Sequence, residues 1–114
     1  MGQVRTKRAY DAPAAADGYR ILVDRLWPRG VSEASAQLDE WLKDVAPSAH
    51  LRTWFGHRPE RFEEFGERYR AELDGSPALD LLRSQCAEHP VVTLVYAAKD
   101  PVHNHAQVLL DLVG

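Results

Sequence analysis

The sequence has little of what several familiar protein classes require. One of its 114 residues is cysteine, so an internal disulfide framework is excluded. No apolar run approaches the roughly 18 residues of a membrane helix, which argues against a membrane partner. Because no apolar leader opens the chain either, we expect a cytosolic protein.

The short motifs that mark common cofactors and catalytic machinery are also missing. The chain contains no G-x-G-x-x-G or P-loop for a nucleotide and no G-x-S-x-G for a serine nucleophile. Its five histidines include no pair at the i, i+4 spacing of a helical zinc site, and His103 and His105 are only two residues apart. We therefore predict no cofactor and no metal site.

Charge of one sign is not in large excess. Fourteen Lys and Arg against 17 Asp and Glu give a net charge of -3, unlike the strongly basic footprint of most nucleic-acid-binding domains. Residues 1–30 are nevertheless basic, with six Lys and Arg against three Asp. We therefore do not expect a nucleic-acid partner, but weak binding through this basic first third stays open as an alternative.

What the sequence does contain is the patterning of one small domain over 1–114. Apolar strands are predicted at 19–27 and 90–98, with a weaker, charged edge strand at 3–11. Helices are predicted at 49–55, 59–73, 77–88 and 102–112. A further helix is predicted after Ser32 and before Pro47, with one apolar face made by Leu38, Trp41, Leu42 and Val45. This order predicts an α/β fold, a small single domain with a thin, mostly parallel sheet covered by helices.

Polar side chains gather where the two apolar strands end. Since open parallel sheets bind ligands outside the carboxyl ends of their strands, we predict a ligand-binding site there. The first strand end supplies Asp24, Arg25, Trp27 and Arg29, and the second is followed by Lys99, Asp100, Asn104 and His105. Arg52 on the helix 49–55 is a further candidate, and His57 a weaker one. Free N–H groups at the start of helix 102–112 are expected to add affinity for an anion.

Structural roles remain open for several of these residues. Asp24 and Arg25 suit a salt bridge with each other, and Trp27 suits the core or an interface. Asp100 suits a cap of the last helix with a proline in its first turn, and Asn104 suits a cap or a turn. The joint appearance of two polar strand ends, rather than any one residue, favours a site.

Long stretches of the chain resemble a known family. They run in order over about residues 3–112 and read "ILVDRLWPRGVS", "LDEWLKDVAPS", "LRTWFGHRPERFEEFGERYRAEL" and "VTLVYAAKDPVHNHAQVL". These strings are similar to the YeaO-like branch of the Domain of Unknown Function 488 family. Its motifs fall on the predicted site residues and also on Pro47, Ser48, Trp54, Phe55, Arg68 and Tyr69. The resemblance implies a fold rather than an assigned activity.

One position departs from the wider family in its chemistry. The final motif there usually reads Cys-His-Arg, whereas this chain has Asn104, His105 and Ala106 in its place. An asparagine cannot become a thiolate nucleophile, so a thiol mechanism at this position is excluded. Acid–base chemistry by His105, or binding alone, is what remains.

We therefore expect the site to bind an anionic small molecule that is phosphate-like or nucleotide-like. Arg25, Arg29 and Lys99 supply positive charge. Asn104 and His105 orient the ligand, with His105 as the candidate catalytic acid or base. The alternative is a non-catalytic interaction or regulatory module whose Trp and Arg side chains meet a protein partner. The ligand, any reaction and the oligomeric state stay open.

Overall fold

A four-stranded parallel sheet and five helices make up the computed structural model, which describes residues 2–114. The strands are β1 (Gln3–Arg8), β2 (Tyr19–Leu22), β3 (Glu40–Trp41) and β4 (Val91–Tyr96). The helices are α1 (Glu33–Ala36), α2 (Ala49–Phe55), α3 (Phe62–Leu73), α4 (Pro77–Glu88) and α5 (His105–Val113). The predicted α/β class is confirmed. None of the helices in this described chain combines the length and the apolar character that crossing a bilayer requires.

The sheet order is β1-β4-β2-β3, so the two strands with polar ends lie side by side at its centre. Every neighbouring pair is parallel, and the charged strand β1 forms an edge, as its sequence predicts. After β2 the chain moves to β3 at one edge, whereas α5, which follows β4, packs against β1 at the other. Open parallel sheets bind ligands at the ends of two neighbouring strands whose following connections leave in opposite directions along the sheet.

The two faces of the sheet are covered differently. Ile21 and Leu94 point into the main core, which α2, α3, α4 and α5 close. Leu22 and Val95 point to the opposite face, where Trp27 covers them together with neighbouring loop residues. β2 is therefore buried on both faces, which its continuous apolar run indicates.

The helix predicted before Pro47 is wrong beyond its first turn. Ser32 does cap α1, since its Oγ accepts the N–H of Ser35 at 3.1 Å. Gln37 then adopts a left-handed conformation with φ of 47° and ends the helix. The capping signal was correctly placed, but the helix it starts is four residues long.

Two residues of that segment form a fourth strand, β3, which the sequence did not predict, and Lys43–Val45 form a single 3₁₀ turn after it. Asp39 donates its N–H to the carbonyl of Arg20, and Leu42 donates to the carbonyl of Leu22, each at 2.9 Å. These bonds to the chain of β2 satisfy backbone groups that the predicted α-helix would have used. The helical spacing of its apolar residues is therefore overridden by pairing with a strand far away in sequence.

The last helix begins at His105, three residues later than predicted. Asn104 is its N-cap, with Oδ1 accepting the N–H of Gln107 at 3.1 Å. Asp100 instead closes a separate turn, because its Oδ1 accepts the N–H groups of Val102 and His103 at 2.8 and 3.1 Å. Those two N–H groups, expected to be free for an anion, are thus already bonded.

Candidate functional site

A cavity of about 290 Å³ lies at the carboxyl ends of β2 and β4. Five predicted site residues line it, and they come from both strand ends and from α2. They are Asp24, Arg25, Arg52, Asn104 and His105. The two polar strand ends therefore meet in one place, and the weaker candidate His57 joins them.

Asp24 ties the ends of three strands together. It lies just beyond β2, and its Oδ2 accepts the N–H of Ala97, just beyond β4, at 3.0 Å. Its carbonyl oxygen accepts the indole N–H of Trp41 in β3 at 2.7 Å. The carboxylate is thus held by the backbone rather than paired with the neighbouring arginine.

His105 is locked to the same strand end. Its Nε2 lies 3.1 Å from the carbonyl oxygen of Val23 and 3.1 Å from Oδ1 of Asp24. Both neighbours are acceptors, so Nε2 must carry a hydrogen. The ring also packs edge-on to Tyr69, with 6.3 Å between centroids, and its side chain is 14% exposed. Nδ1 is therefore the nitrogen that these two acceptors leave unused.

Arg25 has no ionic partner among residues 2–114, so the salt bridge with Asp24 considered above does not form. One terminal nitrogen lies 3.4 Å from the carbonyl oxygen of Ala46. The Nε atom is buried and has no acceptor. An unbonded buried donor is unfavourable, so this guanidinium brings unused hydrogen-bonding capacity to the cavity wall.

The helix that carries Arg52 is fixed at its N-terminal end. Ser48 caps α2 by accepting the N–H of Leu51 at 3.1 Å. Its own N–H and hydroxyl donate to the carboxylate of Glu72 at 2.9 and 2.6 Å, which ties α2 to α3. The exposed Arg52 projects from this anchored helix and makes no ion pair within residues 2–114. The cavity therefore has two unpaired guanidinium groups.

Two successive left-handed residues follow α2. Gly56 has φ of 55° and His57 has φ of 56°. The conformation is free for glycine but costs other residues about 1–2 kcal/mol. It turns the chain back so that His57 lies in the cavity wall.

Asn104 lines the cavity, and both polar atoms of its amide make hydrogen bonds within the fold. Its Nδ2 donates to the carbonyl of Asp100 at 2.8 Å, while Oδ1 caps α5. The residue is 2% exposed. It holds the start of α5 in place, which agrees with the structural alternative considered for it.

Four predicted site residues lie outside the cavity wall. Arg29 and Lys99 are exposed on the surface. Trp27 donates its indole N–H to the carbonyl of Val31 at 2.6 Å and packs against the second face of the sheet. Asp100 has its pKa lowered to about 2 by the N–H of Val102 and by the side chain and N–H of His103. The structure thus gives Trp27 and Asp100 local bonds away from the cavity.

The apolar half of the wall was missed by sequence reasoning. Phe55 and Phe65 stack with 4.4 Å between centroids and close the cavity from the side of α2 and α3. Pro47 and Leu26 also line it. Phe55 is nearly buried, since it is 5% exposed. A buried aromatic at helical spacing carries no signal that one of its edges faces a cavity.

The chemistry that the wall offers is limited. Within 2–114, no cluster of His, Cys, Asp and Glu is arranged to hold a metal ion. The cavity-lining residues of this described chain include no thiol, hydroxyl or lysine. Cys86, the one cysteine, is buried elsewhere, and burial raises its pKa. The site can therefore donate hydrogen bonds to an anion more readily than it can supply a nucleophile.

The family model and the individual relatives that match this chain point to the same family. The model of the inactive DUF488-N3 subclade matches residues 3–114. An uncharacterised protein of Mycobacterium tuberculosis (strain H37Rv) is 45% identical over 112 residues, which cover 98% of this chain and 94% of that protein. The uncharacterised protein YeaO of Escherichia coli K12 is 42% identical over 113 residues, which cover 95% of this chain and 94% of YeaO. No solved structure matches the chain significantly.

Proposed function

This chain is a member of the DUF488 family, within its inactive N3 subclade, and we propose that it binds an anionic small molecule. The ligand is phosphate-like or nucleotide-like. It lies at the carboxyl ends of β2 and β4, in the cavity that Arg25 and Arg52 line.

The observation that carries the proposal is the state of Arg25. Its guanidinium has no carboxylate partner in the described chain, and its Nε is buried without an acceptor. Arginine binds phosphate or carboxylate oxygens through two parallel hydrogen bonds, and an anion in the cavity provides acceptors for the terminal nitrogens of Arg25. Arg52 adds a second positive charge, whereas Asp24 is the one carboxylate in the wall.

Asp24 does not oppose this assignment as strongly as a free carboxylate does. Its Oδ2 accepts the N–H of Ala97 at 3.0 Å, whereas its Oδ1 lies 3.1 Å from Nε2 of His105 and accepts no hydrogen bond within the described chain. The hydrogen bond to Oδ2 stabilises part of the carboxylate charge. Two guanidinium groups against this one carboxylate leave the polar wall with an excess of positive charge.

Binding without covalent catalysis fits the wall better than an enzyme mechanism. Both ends of the Asn104 amide are used within the fold, and no thiol or hydroxyl lines the cavity among the described residues. His105 takes part as a hydrogen-bonding group to the ligand. The description of the subclade as inactive supports the same choice.

The test is the thermal unfolding of the purified protein with inorganic phosphate, a nucleoside monophosphate and acetate at millimolar concentrations. A ligand at 100 times its dissociation constant stabilises the folded state by about 2.7 kcal/mol, which gives a clear rise in Tm. We expect a rise with at least one phosphate. Arg25→Ala and Arg52→Ala are expected to abolish or strongly reduce it.

Arg29→Ala is the matched control, because Arg29 is exposed and lies outside the cavity wall. It is expected to keep the full response to phosphate. An equal loss of response in all three variants indicates a general charge effect and contradicts the proposal. The absence of any response in the wild-type protein contradicts it as well.

A further inference from the structure

An exposed leucine lies at the edge of the cavity, although an anion needs polar groups and gains nothing from an apolar side chain. Leu26 directly follows Arg25 and is 68% exposed, yet it lines the same cavity. Its side chain covers no part of the core. A leucine that packs on no part of the core, beside a guanidinium without a carboxylate partner, has a chemical use if the ligand itself has an apolar part.

The rest of the wall has the same mixed character. Part of the cavity wall is apolar and contrasts with the two charged arginines. It is formed by Pro47, Phe55 and Phe65. Phe65 is 1% exposed and belongs to the floor, whereas Leu26 at 68% belongs to the rim. The apolar surface thus continues from the interior of the cavity to its mouth.

The volume of the cavity also exceeds what a bare anion needs. At about 290 Å³ it is close to the lower bound of about 300 Å³ for pockets that hold organic ligands. Inorganic phosphate has only five heavy atoms and fills a small part of this volume. An organic group attached to the anion fills the remaining space.

We propose that the ligand is a small organic phosphate monoester whose anionic group binds Arg25 and Arg52 while a compact apolar group packs on Leu26. This inference rests on the anion-binding function proposed above and narrows its ligand class. Leu26 is then a specificity-determining residue, because it contacts the part of the ligand that inorganic phosphate lacks.

The experiment compares three probes by calorimetric or NMR titration: inorganic phosphate, phenyl phosphate and phenol. Burying a ring-sized apolar group is worth more than tenfold in affinity, so phenyl phosphate is expected to bind at least about tenfold more tightly than inorganic phosphate. Phenol, which lacks the anion, is expected to bind more weakly than either phosphate.

The variant Leu26→Ser distinguishes the contribution of the apolar rim to affinity from that of the arginines. The exposed position makes a folding defect unexpected, and the affinity for phenyl phosphate should fall about threefold or more while that for inorganic phosphate stays unchanged. Val102→Ser is the matched control, since Val102 is 61% exposed and lies outside the cavity wall. It should change neither affinity.

The outcomes are distinguishable. Equal affinity for both phosphates, or an unchanged preference in Leu26→Ser, overturns the inference and leaves anion binding intact. The exposed leucine then belongs to a different surface, such as one for a protein partner. Failure of both phosphates to bind overturns the inference together with the proposed function.

Discussion

Nε2 of His105 and Oδ1 of Asp24 lie 3.1 Å apart, which joins the first residue of α5 to the end of β2. The carbonyl of Val23 accepts from the same ring nitrogen. Two residues separated by 81 positions in the sequence therefore hold the cavity wall in one piece. The contact has consequences for stability as well as for binding.

His105→Ala is expected to destabilise the fold by about 2 kcal/mol. The change leaves the carbonyl of Val23 without its donor and removes the ring nitrogen that lies 3.1 Å from Oδ1 of Asp24, and a buried acceptor that loses its partner costs about 1–3 kcal/mol. Equilibrium unfolding in urea measures the loss. His103→Ala is the control, because His103 is 36% exposed and bonds only within its own turn. A similar loss in both variants contradicts the structural importance of the His105 contact.

The buried ion pair of Arg20 and Asp17, 2.6 Å apart, makes stability depend on pH. Burial raises the pKa of Asp17, but the N–H of Ala14 and the side chains of Lys7 and Arg20 lower it further, so the net pKa is below the usual 3.8. A carboxyl whose pKa is lower in the folded state stabilises the fold above its unfolded pKa. This contribution is complete above about pH 4 and is lost as the pH falls through the folded value.

Asp17→Asn removes that contribution and leaves the Arg20 guanidinium buried beside a neutral amide. Breaking a buried pair in this way costs about 3 kcal/mol or more, so the variant should be much less stable at neutral pH. The difference from wild type should shrink as the pH is lowered below about 4, because the carboxyl takes up a proton there in the unfolded chain first and in the folded protein at a lower pH. Urea unfolding across a pH series measures it. A difference that is constant over the series indicates a packing effect instead.

Position 18 requires glycine because there is no room for a Cβ atom and because its backbone is left-handed. Its φ is 64°, and a Cβ there lies 2.4 Å from the carbonyl oxygen of Val91 in the central strand β4. Gly75 has a similar φ of 71°, but a Cβ there meets nothing within 4 Å. Gly75→Ala should therefore cost only the conformational term of about 1–2 kcal/mol. Gly18→Ala should cost clearly more, or prevent folding.

Expression yield, circular dichroism and urea unfolding of the two glycine variants measure this difference. The comparison separates steric overlap from left-handed strain, which both positions share. Equal stability of Gly18→Ala and Gly75→Ala indicates that the 15–18 turn moves away from β4 at little cost.

Elements whose chemistry is local were predictable from the sequence. Ser48 and Ser76 each accept the N–H three residues later, at 3.1 and 3.3 Å, and start α2 and α4 where their sequence signals predict. The buried strands β2 and β4 follow from continuous apolar runs between turn residues. β3 was not predictable, because its pairing depends on the backbone of the distant β2, to which Leu42, directly after β3, donates its N–H at the carbonyl of Leu22.

In the site, too, some residues could be placed from the sequence and others could not. Asp24, Arg25 and His105 were placed together because neighbouring parallel strands end at one edge, a rule that needs only strand order. Lys99 was placed with them by the same rule but lies on the surface. The direction of a side chain after a strand depends on the following turn, and here Asp100 shapes that turn by accepting two backbone N–H groups.

His57 is the residue at which stability and binding separate most cleanly. Its φ of 56° favours glycine by about 1–2 kcal/mol, and the entropy that glycine adds to the unfolded chain offsets only about 0.4–1 kcal/mol of this. His57→Gly should therefore leave the stability unchanged or raise it by about 1 kcal/mol. Removal of the imidazole from the cavity wall should lower the affinity for phosphate several-fold.

Titration with phosphate and urea unfolding of His57→Gly measure the affinity and the stability. His50→Ala is the control, because His50 is exposed and lies outside the cavity wall. Unchanged affinity assigns His57 to the turn alone, and a large loss of stability shows that its side chain supports the fold.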